Sequence, residues 1–144
     1  MKKQILLADD DESVRKMVGR VLESAGYEVL HACSGNEAVT KFRNNRPDLV
    51  LLDLKMPDQE GWETFDQLSH CDAMVPVIVI TAWPNQYEVA VQRGIDALME
   101  KPLDMPVLLR TIQGLLEEPE QTRVHRLTQP SFTTAYLSSL PSVA

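Results

Sequence analysis

The sequence contains few of the residues that stabilise secreted or metal-thiolate domains. It has only two cysteines, Cys33 and Cys71, and their separation does not match the spacing of metal-binding cysteine pairs. We therefore expect two reduced thiols in a cytoplasmic protein. The sequence also shows no charged and apolar leader and no apolar run long enough to cross a bilayer. Membrane insertion is accordingly not expected.

Positive charge is also scarce, because Lys and Arg total 14 against 21 Asp and Glu, which gives a formal net charge of −7. This balance argues against direct nucleic acid binding, which needs a concentration of positive charge. The hydrophobic fraction of 44% over 144 residues is instead typical of a globular chain with a sizeable core. One folded domain is therefore the expectation.

Short apolar runs alternate with helical segments along most of the chain. The runs cover residues 4–8, 27–32, 49–52, 75–80 and 95–100. A helical segment follows each run, and the fourth, which is weakly patterned, is expected to begin at Pro84 and end near Arg93. Strands that alternate with helices pair in parallel through right-handed crossovers, so the pattern predicts an α/β fold.

The composition changes after Glu117. Residues 118–144 contain three prolines, many serines and threonines and only scattered apolar residues. We interpret residues 1–117 as the folded domain and residues 118–144 as a flexible C-terminal tail or linker. The tail contains neither a DNA-recognition helix pattern nor a catalytic motif, so the sequence does not identify a downstream effector.

Reactive side chains follow four of the predicted strands. Asp9 and Asp10 come after the first strand, Asp53 ends the third, Thr81 ends the fourth and Lys101 follows the fifth. Taken singly, each residue is better explained as a helix cap, a turn residue or a solvated charge. The carboxyl ends of parallel strands meet at one edge of a sheet, however, so together these residues predict a functional site.

The predicted set suits phosphoryl transfer. Three neighbouring carboxylates repel one another, and a hard divalent cation such as Mg²⁺ relieves that repulsion while also binding phosphoryl oxygens. Asp53 could attack phosphorus, while the Thr81 hydroxyl and the Lys101 ammonium neutralise charge on the transferred oxygens. A carboxylate nucleophile needs no general base, and none of the three histidines is placed at this edge: His31, His70 and His125.

Four motifs in the same order resemble those of the receiver domain of two-component response regulators. They are Leu-Leu-Ala-Asp-Asp-Asp at 6–11, Leu-Leu-Asp-Leu-Lys-Met-Pro-Asp-Gln-Glu-Gly at 51–61, Val-Ile-Val-Ile-Thr-Ala at 77–82 and Gly-Ile-Asp-Ala-Leu-Met-Glu-Lys-Pro at 94–102. The resemblance covers residues 3 to about 117. It implies a flavodoxin-like, doubly wound, five-stranded parallel sheet of strand order 2-1-3-4-5, flanked by five helices.

The resemblance also implies a role for each motif residue. Asp53 matches the phosphoacceptor, and Thr81 and Lys101 match the switch hydroxyl and its cationic partner. A Mg²⁺ ion, or Mn²⁺ in its place, would be held by four groups: Asp10 and Asp53 directly, Asp9 through water, and the backbone carbonyl of Lys55. The bond between Lys101 and Pro102 matches a cis peptide of the family.

The residues expected to gate the site depart from the family at one position. Leu98 stands where members often carry Tyr or Phe, so the usual aromatic readout is not expected. Ala82 is small, as phosphoryl access requires. Trp83 lies near the expected site mouth, where packing on a neighbouring loop and a role in gating are both open interpretations.

The implied phosphoryl donor is a phosphohistidine on a sensor histidine kinase or a phosphotransfer protein. Phosphorylation is expected to switch a signal face made by the fourth helix, fifth strand and fifth helix, and a homodimer through this face is compatible with the resemblance. The chain is thus expected to be a signalling switch rather than an enzyme. The alternatives are a hydrolase that turns over an aspartyl phosphate and a binding module that is never phosphorylated.

Overall fold

The computed structural model describes residues 2–129 and 133–137, which form six strands and six helices. The strands are β1 (Gln4–Ala8), β2 (Glu28–Ala32), β3 (Leu49–Asp53), β4 (Val77–Thr81), β5 (Ala97–Glu100) and β6 (Ala135–Leu137). The helices are α1 (Glu12–Ser24), α2 (Gly35–Asn45), α3 (Gly61–Cys71), α4 (Tyr87–Arg93), α5 (Met105–Glu117) and α6 (Glu120–Thr128). Strands and helices alternate as far as α5, as the sequence predicts.

The strands form one parallel sheet in the order β2-β1-β3-β4-β5-β6. The predicted doubly wound α/β fold and the strand order 2-1-3-4-5 are therefore confirmed. The described chain adds a sixth strand and a sixth helix, which the sequence prediction lacked. Because β6 has three exposed or half-buried residues, it has no apolar run to mark it in the sequence.

Both faces of the sheet are covered. β3 and β4 are buried at every position, which is why their sequences are continuous apolar runs rather than alternating ones. One core cluster packs α2, α3 and α4 on one face, and a second packs α1 and α5 on the other. The central strands are thus held rigidly, and their carboxyl ends are fixed relative to one another.

Most helix ends follow their sequence signals. Asp11 caps α1 by accepting hydrogen bonds from the backbone of Ser13 and Val14, and α4 ends at Gly94, whose φ is 70°. The prediction that the fourth helix begins at Pro84 is wrong, since α4 begins three residues later. Asn85 has a φ of 62°, which no α-helix accommodates. In the part of the chain described, none of the helices is long and apolar enough to cross a bilayer.

The segment after residue 117 contacts the rest of the chain through α6. Arg123 is 5% exposed and donates hydrogen bonds to both carboxylate oxygens of Asp96, at 2.7 and 3.1 Å, and to the carbonyl of Met74 at 2.7 Å. Residues 130–132 and 138–144 of the predicted tail lie outside the described residues. The division of the chain into a domain ending at residue 117 and a flexible tail stays a prediction.

Candidate functional site

The structure brings together the residues that follow the strand ends. Asp9 directly follows β1, Asp53 and Thr81 are the last residues of β3 and β4, and Lys101 directly follows β5. The Lys101 ammonium lies 3.0 Å from Oδ2 of Asp9 and 3.0 Å from Oδ2 of Asp53. One cation thus bridges two carboxylates that are far apart in the sequence.

Burial removes water from the charged groups of this arrangement and so changes their pKa values. Asp9 is fully buried and Asp53 is 3% exposed. Desolvation, together with the neighbouring charge of Asp9, raises the pKa of Asp53 to about 6 despite the opposing effect of Lys101. Burial alone would lower the pKa of Lys101, but its hydrogen bonds to the two carboxylates outweigh burial and raise it. Lys101 is therefore charged at neutral pH, and most of Asp53 is ionised.

The acidic cluster has the donor set of a divalent cation site. Carboxylate oxygens of Asp9, Asp10 and Asp53 lie within 4.8 Å of one another, and Asp10 is exposed while the other two are buried. Oxygen ligands of this kind suit Mg²⁺, which keeps several waters and binds through a few carboxylates. The residues present therefore fit a magnesium ion that is open to solvent on one side.

The orientation of Asp9 is fixed by residues that the sequence prediction did not single out. Arg15 donates a hydrogen bond to the Asp9 carbonyl at 2.6 Å, and the Asp11 amide donates to Oδ1 of Asp9 at 2.9 Å. Arg15 lies one turn into α1, so a cation near the acidic pair was visible in the sequence. Its target, a backbone carbonyl, was not.

The loop between β3 and α3 is clamped by Asp58. Its carboxylate accepts hydrogen bonds from the amides of Gly35 and Asn36, both at 2.8 Å, at the N-terminus of α2. Within the same loop, the Lys55 amide donates to Oδ1 of Asp53 at 3.2 Å. No local pattern reveals Asp58 as a clamp, because its partners lie more than twenty residues earlier in the chain.

A glycine allows α3 to begin directly against the end of β3, the strand that carries Asp53. A Cβ atom at Gly61 would lie 2.5 Å from the carbonyl oxygen of Asp53 and 2.6 Å from Cα of Leu54. The Gly61 amide donates to the Leu54 carbonyl at 2.8 Å. A side chain at this position would push the loop away from the phosphoacceptor candidate.

Thr81 and its neighbours lie beside the acidic cluster. The Thr81 side chain is buried, and its Oγ accepts a hydrogen bond from the Trp83 amide at 2.9 Å. Ala82 is exposed and Trp83 is half-buried against the core. Leu98 is buried in the core cluster that also contains Ala90 of α4. The peptide bond between Lys101 and Pro102 is cis.

Helix α4 is tied to α3 at both of its ends. The Trp62 indole donates to the Gln86 side-chain carbonyl at 2.9 Å. Arg93 lies over the Trp62 ring, 5.3 Å from its centroid, and pairs with Asp66 at 3.1 Å. The segment between Thr81 and α4 is therefore held near its start by the Trp83 amide on Thr81 and near its end by Gln86 on Trp62.

Comparisons with known proteins show which family the chain resembles. Residues 5–113 match the family model of the response regulator receiver domain. The chain is 32% identical over 120 residues to the polar-differentiation response regulator DivK of Brucella anthropi, covering 81% of this chain and 98% of DivK. It is also 32% identical over 122 residues to the alkaline phosphatase synthesis transcriptional regulatory protein PhoP of Bacillus subtilis, covering 83% of this chain and 51% of PhoP. The chain thus spans nearly all of DivK but about half of PhoP.

Solved structures show the same fold. A receiver domain protein from Methanospirillum hungatei superposes with a TM-score of 0.79 at 31% identity, covering 84% of this chain and 98% of that protein. The CheY protein of Borrelia burgdorferi, solved in a complex with CheX, BeF₃ and Mg²⁺, has a TM-score of 0.75 at 26% identity, covering 81% and 90%.

Proposed function

Because the chain belongs to the response regulator receiver domain family, we propose that it is a switch in which Asp53 accepts a phosphoryl group. Receiver domains are signalling switches of two-component systems rather than classical enzymes, and they bind Mg²⁺ at an acidic pocket. The observation that carries the proposal is the contact of Lys101 with both Asp9 and Asp53 beside a third carboxylate.

Asp53 is the nucleophile in this proposal. One of its carboxylate oxygens attacks the phosphorus of a phosphohistidine, so that an O–P bond forms as the N–P bond breaks. The imidazole leaves with the electron pair of the broken bond and takes up a proton from water. Lys101 then pairs with the transferred phosphoryl oxygens. Their negative charge is larger than that of the Asp53 carboxylate with which Lys101 paired before the reaction.

The metal is proposed to be Mg²⁺, with Mn²⁺ as a substitute. Asp10 and Asp53 would hold it directly, Asp9 through water, and Lys55 through its backbone carbonyl. When bound, the ion neutralises charge on the phosphoryl oxygens. The chain's own contribution is to hold Asp9 through Arg15 and Asp11 so that its carboxylate faces Asp53.

Thr81 is the proposed link between the phosphoryl group and the rest of the domain. Turning its hydroxyl toward a phosphoryl oxygen would withdraw the acceptor that now receives the Trp83 amide. The signal face proposed for this change consists of α4, β5 and α5, and Ala82 leaves room for the phosphoryl group to enter. Leu98, Trp83 and Pro102 are proposed to take part in this response.

The partners follow from the same chemistry. A sensor histidine kinase or a phosphotransfer protein would supply the phosphohistidine. The structure of the Borrelia CheY in a complex with CheX supports protein partners for domains of this kind. A homodimer through the signal face is a further proposal, and the chain's location is proposed to be cytoplasmic.

Phosphoramidate, whose N–P bond resembles that of phosphohistidine, provides a direct test. The protein would be incubated with phosphoramidate and Mg²⁺, and its intact mass recorded with time. We expect the gain of one phosphoryl group in the wild-type protein and in an Asp66→Asn control, which alters an exposed aspartate outside the site. We expect none in Asp53→Asn or after chelation of the metal. An adduct on Asp53→Asn would overturn the proposal.

A further inference from the structure

Residues 133–137 cover the edge of β5, which is part of the proposed signal face. β6 pairs with β5 in parallel register, with Leu98 opposite Tyr136 and Met99 opposite Leu137. The Ala135 amide donates to the carbonyl of Asp96 at 3.0 Å, just before β5 begins. The chain therefore occupies, with its own C-terminal segment, a strand edge that would otherwise offer unpaired backbone groups to a partner.

The segment contacts both sides of that edge, because side chains alternate along a strand. Tyr136 packs edge-on against Tyr87 of α4, with 5.5 Å between ring centroids and 83° between planes. Leu137 packs on the opposite face, in the cluster that includes Met99. The segment thus covers the strand between α4 and α5 rather than touching one helix.

Two hydroxyls, making three contacts, fasten the segment to α4 and to the turn before β5. Thr134 is 3% exposed, and its hydroxyl lies 2.8 Å from the Ile95 carbonyl and 3.4 Å from the Ala90 carbonyl. The Tyr87 hydroxyl donates to the backbone carbonyl of Thr134 at 3.2 Å. Thr134 is therefore the point at which the segment is held most closely.

The two described parts of the C-terminal segment are held with different strength. α6 is anchored by Arg123, which forms two short hydrogen bonds with the buried carboxylate of Asp96. β6 has three residues, and Tyr136 is 49% exposed. Elements with few buried contacts open first, so β6 can separate while α6 stays in place.

A chain of contacts connects residues 133–137 to the candidate site. Thr81 Oγ receives the Trp83 amide, and four residues further on Tyr87 holds Thr134. If Thr81 turns toward a phosphoryl group, the segment from Trp83 to Tyr87 loses the hydrogen bond that fixes its first residue. Tyr87 then keeps the neighbouring Trp62–Gln86 hydrogen bond but loses one of the restraints on its position, and its contact to Thr134 is weakened.

We propose that residues 133–137 form a releasable intramolecular strap on the α4 and β5 surface, and that phosphorylation of Asp53 releases it. The strap keeps this surface covered in the unphosphorylated protein. It is thus an autoinhibitory contact that acts on binding at the signal face. This inference rests on the proposed phosphorylation of Asp53.

Hydrogen exchange of the full chain, read by mass spectrometry, tests the release. After treatment with phosphoramidate and Mg²⁺, the amides of residues 135–137 should exchange about tenfold faster, a factor within the usual range of coupling between two sites. The amides of α6 should keep their rates. An adduct without faster exchange at 135–137 would overturn the strap alone, whereas the lack of any adduct would overturn the proposed function as well.

A pair of threonine variants tests the strap without phosphorylation. Thr134→Val keeps the side-chain shape but removes the hydroxyl contacts, so residues 135–137 should exchange faster with no phosphoryl donor present. Thr128→Val, the matched control, removes a hydroxyl that bonds to Val124 within α6 and should leave them unchanged. Equal exchange in the two variants would contradict the assignment of Thr134 as the fastening residue.

Coupling between two sites is reciprocal, which gives a second readout. If phosphorylation releases the strap, a released strap must favour the phosphorylated form. Thr134→Val should therefore bind BeF₃ with Mg²⁺ about fivefold more tightly than Thr128→Val, measured by titration of tryptophan fluorescence. Equal binding would show that the strap and the site are not linked, and weaker binding would show that phosphorylation does not release the strap.

Discussion

Lys101 and Asp53 lie 48 residues apart in the sequence, and their Nζ and Oδ2 atoms are 3.0 Å apart in the structure. Asp53 is almost fully buried at the end of a central strand, and Lys101 forms an ion pair with it there. Lys101 also contacts Asp9, which means that any change in the charge of one carboxylate is felt by the other.

Replacement of Lys101 should affect phosphorylation and metal binding in opposite directions. Lys101→Met removes the cation proposed to stabilise the transferred oxygens, so phosphoryl uptake should slow by about 100-fold. It also removes a cation that competes for the carboxylates, so Mg²⁺ should bind more tightly. Mass time courses and fluorescence titrations measure the two effects. Loss of both phosphoryl uptake and Mg²⁺ binding would instead indicate that the substitution has damaged the site.

The raised pKa of Asp53 predicts how stability depends on pH when no metal is bound. The folded protein binds the proton of the Asp53 carboxyl more tightly than the unfolded chain does. The resulting stabilisation of the folded state is complete below about pH 4. This stabilisation is lost as pH rises through about 6, the pKa of Asp53 in the folded protein. Asp53→Asn should therefore be more stable than wild type by about 2 kcal/mol at pH 7.5 and by much less at pH 4. Urea unfolding at the two pH values checks this.

Addition of Mg²⁺ provides the control for that comparison. Saturating Mg²⁺ at pH 7.5 should raise the unfolding midpoint of wild type, because the ion binds only the folded site. The rise should be smaller for Asp53→Asn, which lacks one of the proposed carboxylate ligands. An equal rise in both proteins would show that Asp53 is not part of the metal site.

Arg123 should contribute strongly to stability. Arg123→Met leaves the buried carboxylate of Asp96 with less compensation, and the loss of one partner from a buried ion pair costs about 3 to 5 kcal/mol. Arg110→Met, at an exposed position of α5, serves as the control. A small effect of Arg123→Met in urea unfolding would favour the predicted domain end at residue 117. A large one would extend the folded domain through α6.

Asp58 should matter for the metal site although it is not a proposed ligand. Asp58→Ala removes the acceptor for two amides at the start of α2 and releases the loop that carries Lys55. We expect a loss of about 1 to 2 kcal/mol in stability and weaker Mg²⁺ binding. Asp66→Asn is the control in both measurements, and unchanged Mg²⁺ affinity in Asp58→Ala would mean that the loop keeps its position unaided.

The strand ends were predictable because their signals are local. Asp53 and Thr81 each end an apolar run, and parallel strands place such residues at one edge whatever the details of packing. Long-range contacts carry no such signal. Nothing near Asp58 indicates that it meets Gly35, and nothing near Arg123 indicates that it meets Asp96.

The C-terminal elements were missed for a different reason. Thr134 is buried, but its neighbours in β6 are largely exposed, so the segment shows neither an apolar run nor a clear alternation. The start of α4 was misplaced because Pro84 is a frequent first residue of helices, whereas the left-handed backbone of Asn85 depends on the fold around it.

Locating the phosphoryl group tests the central proposal most directly. After treatment with phosphoramidate and Mg²⁺, borohydride reduces an aspartyl phosphate to homoserine, which peptide mass spectrometry identifies by position. We predict homoserine at residue 53, in the wild-type protein and only when Mg²⁺ is present. Homoserine at another aspartate, or none in a protein that has gained a phosphoryl group, would contradict the assignment of Asp53 as the phosphoacceptor.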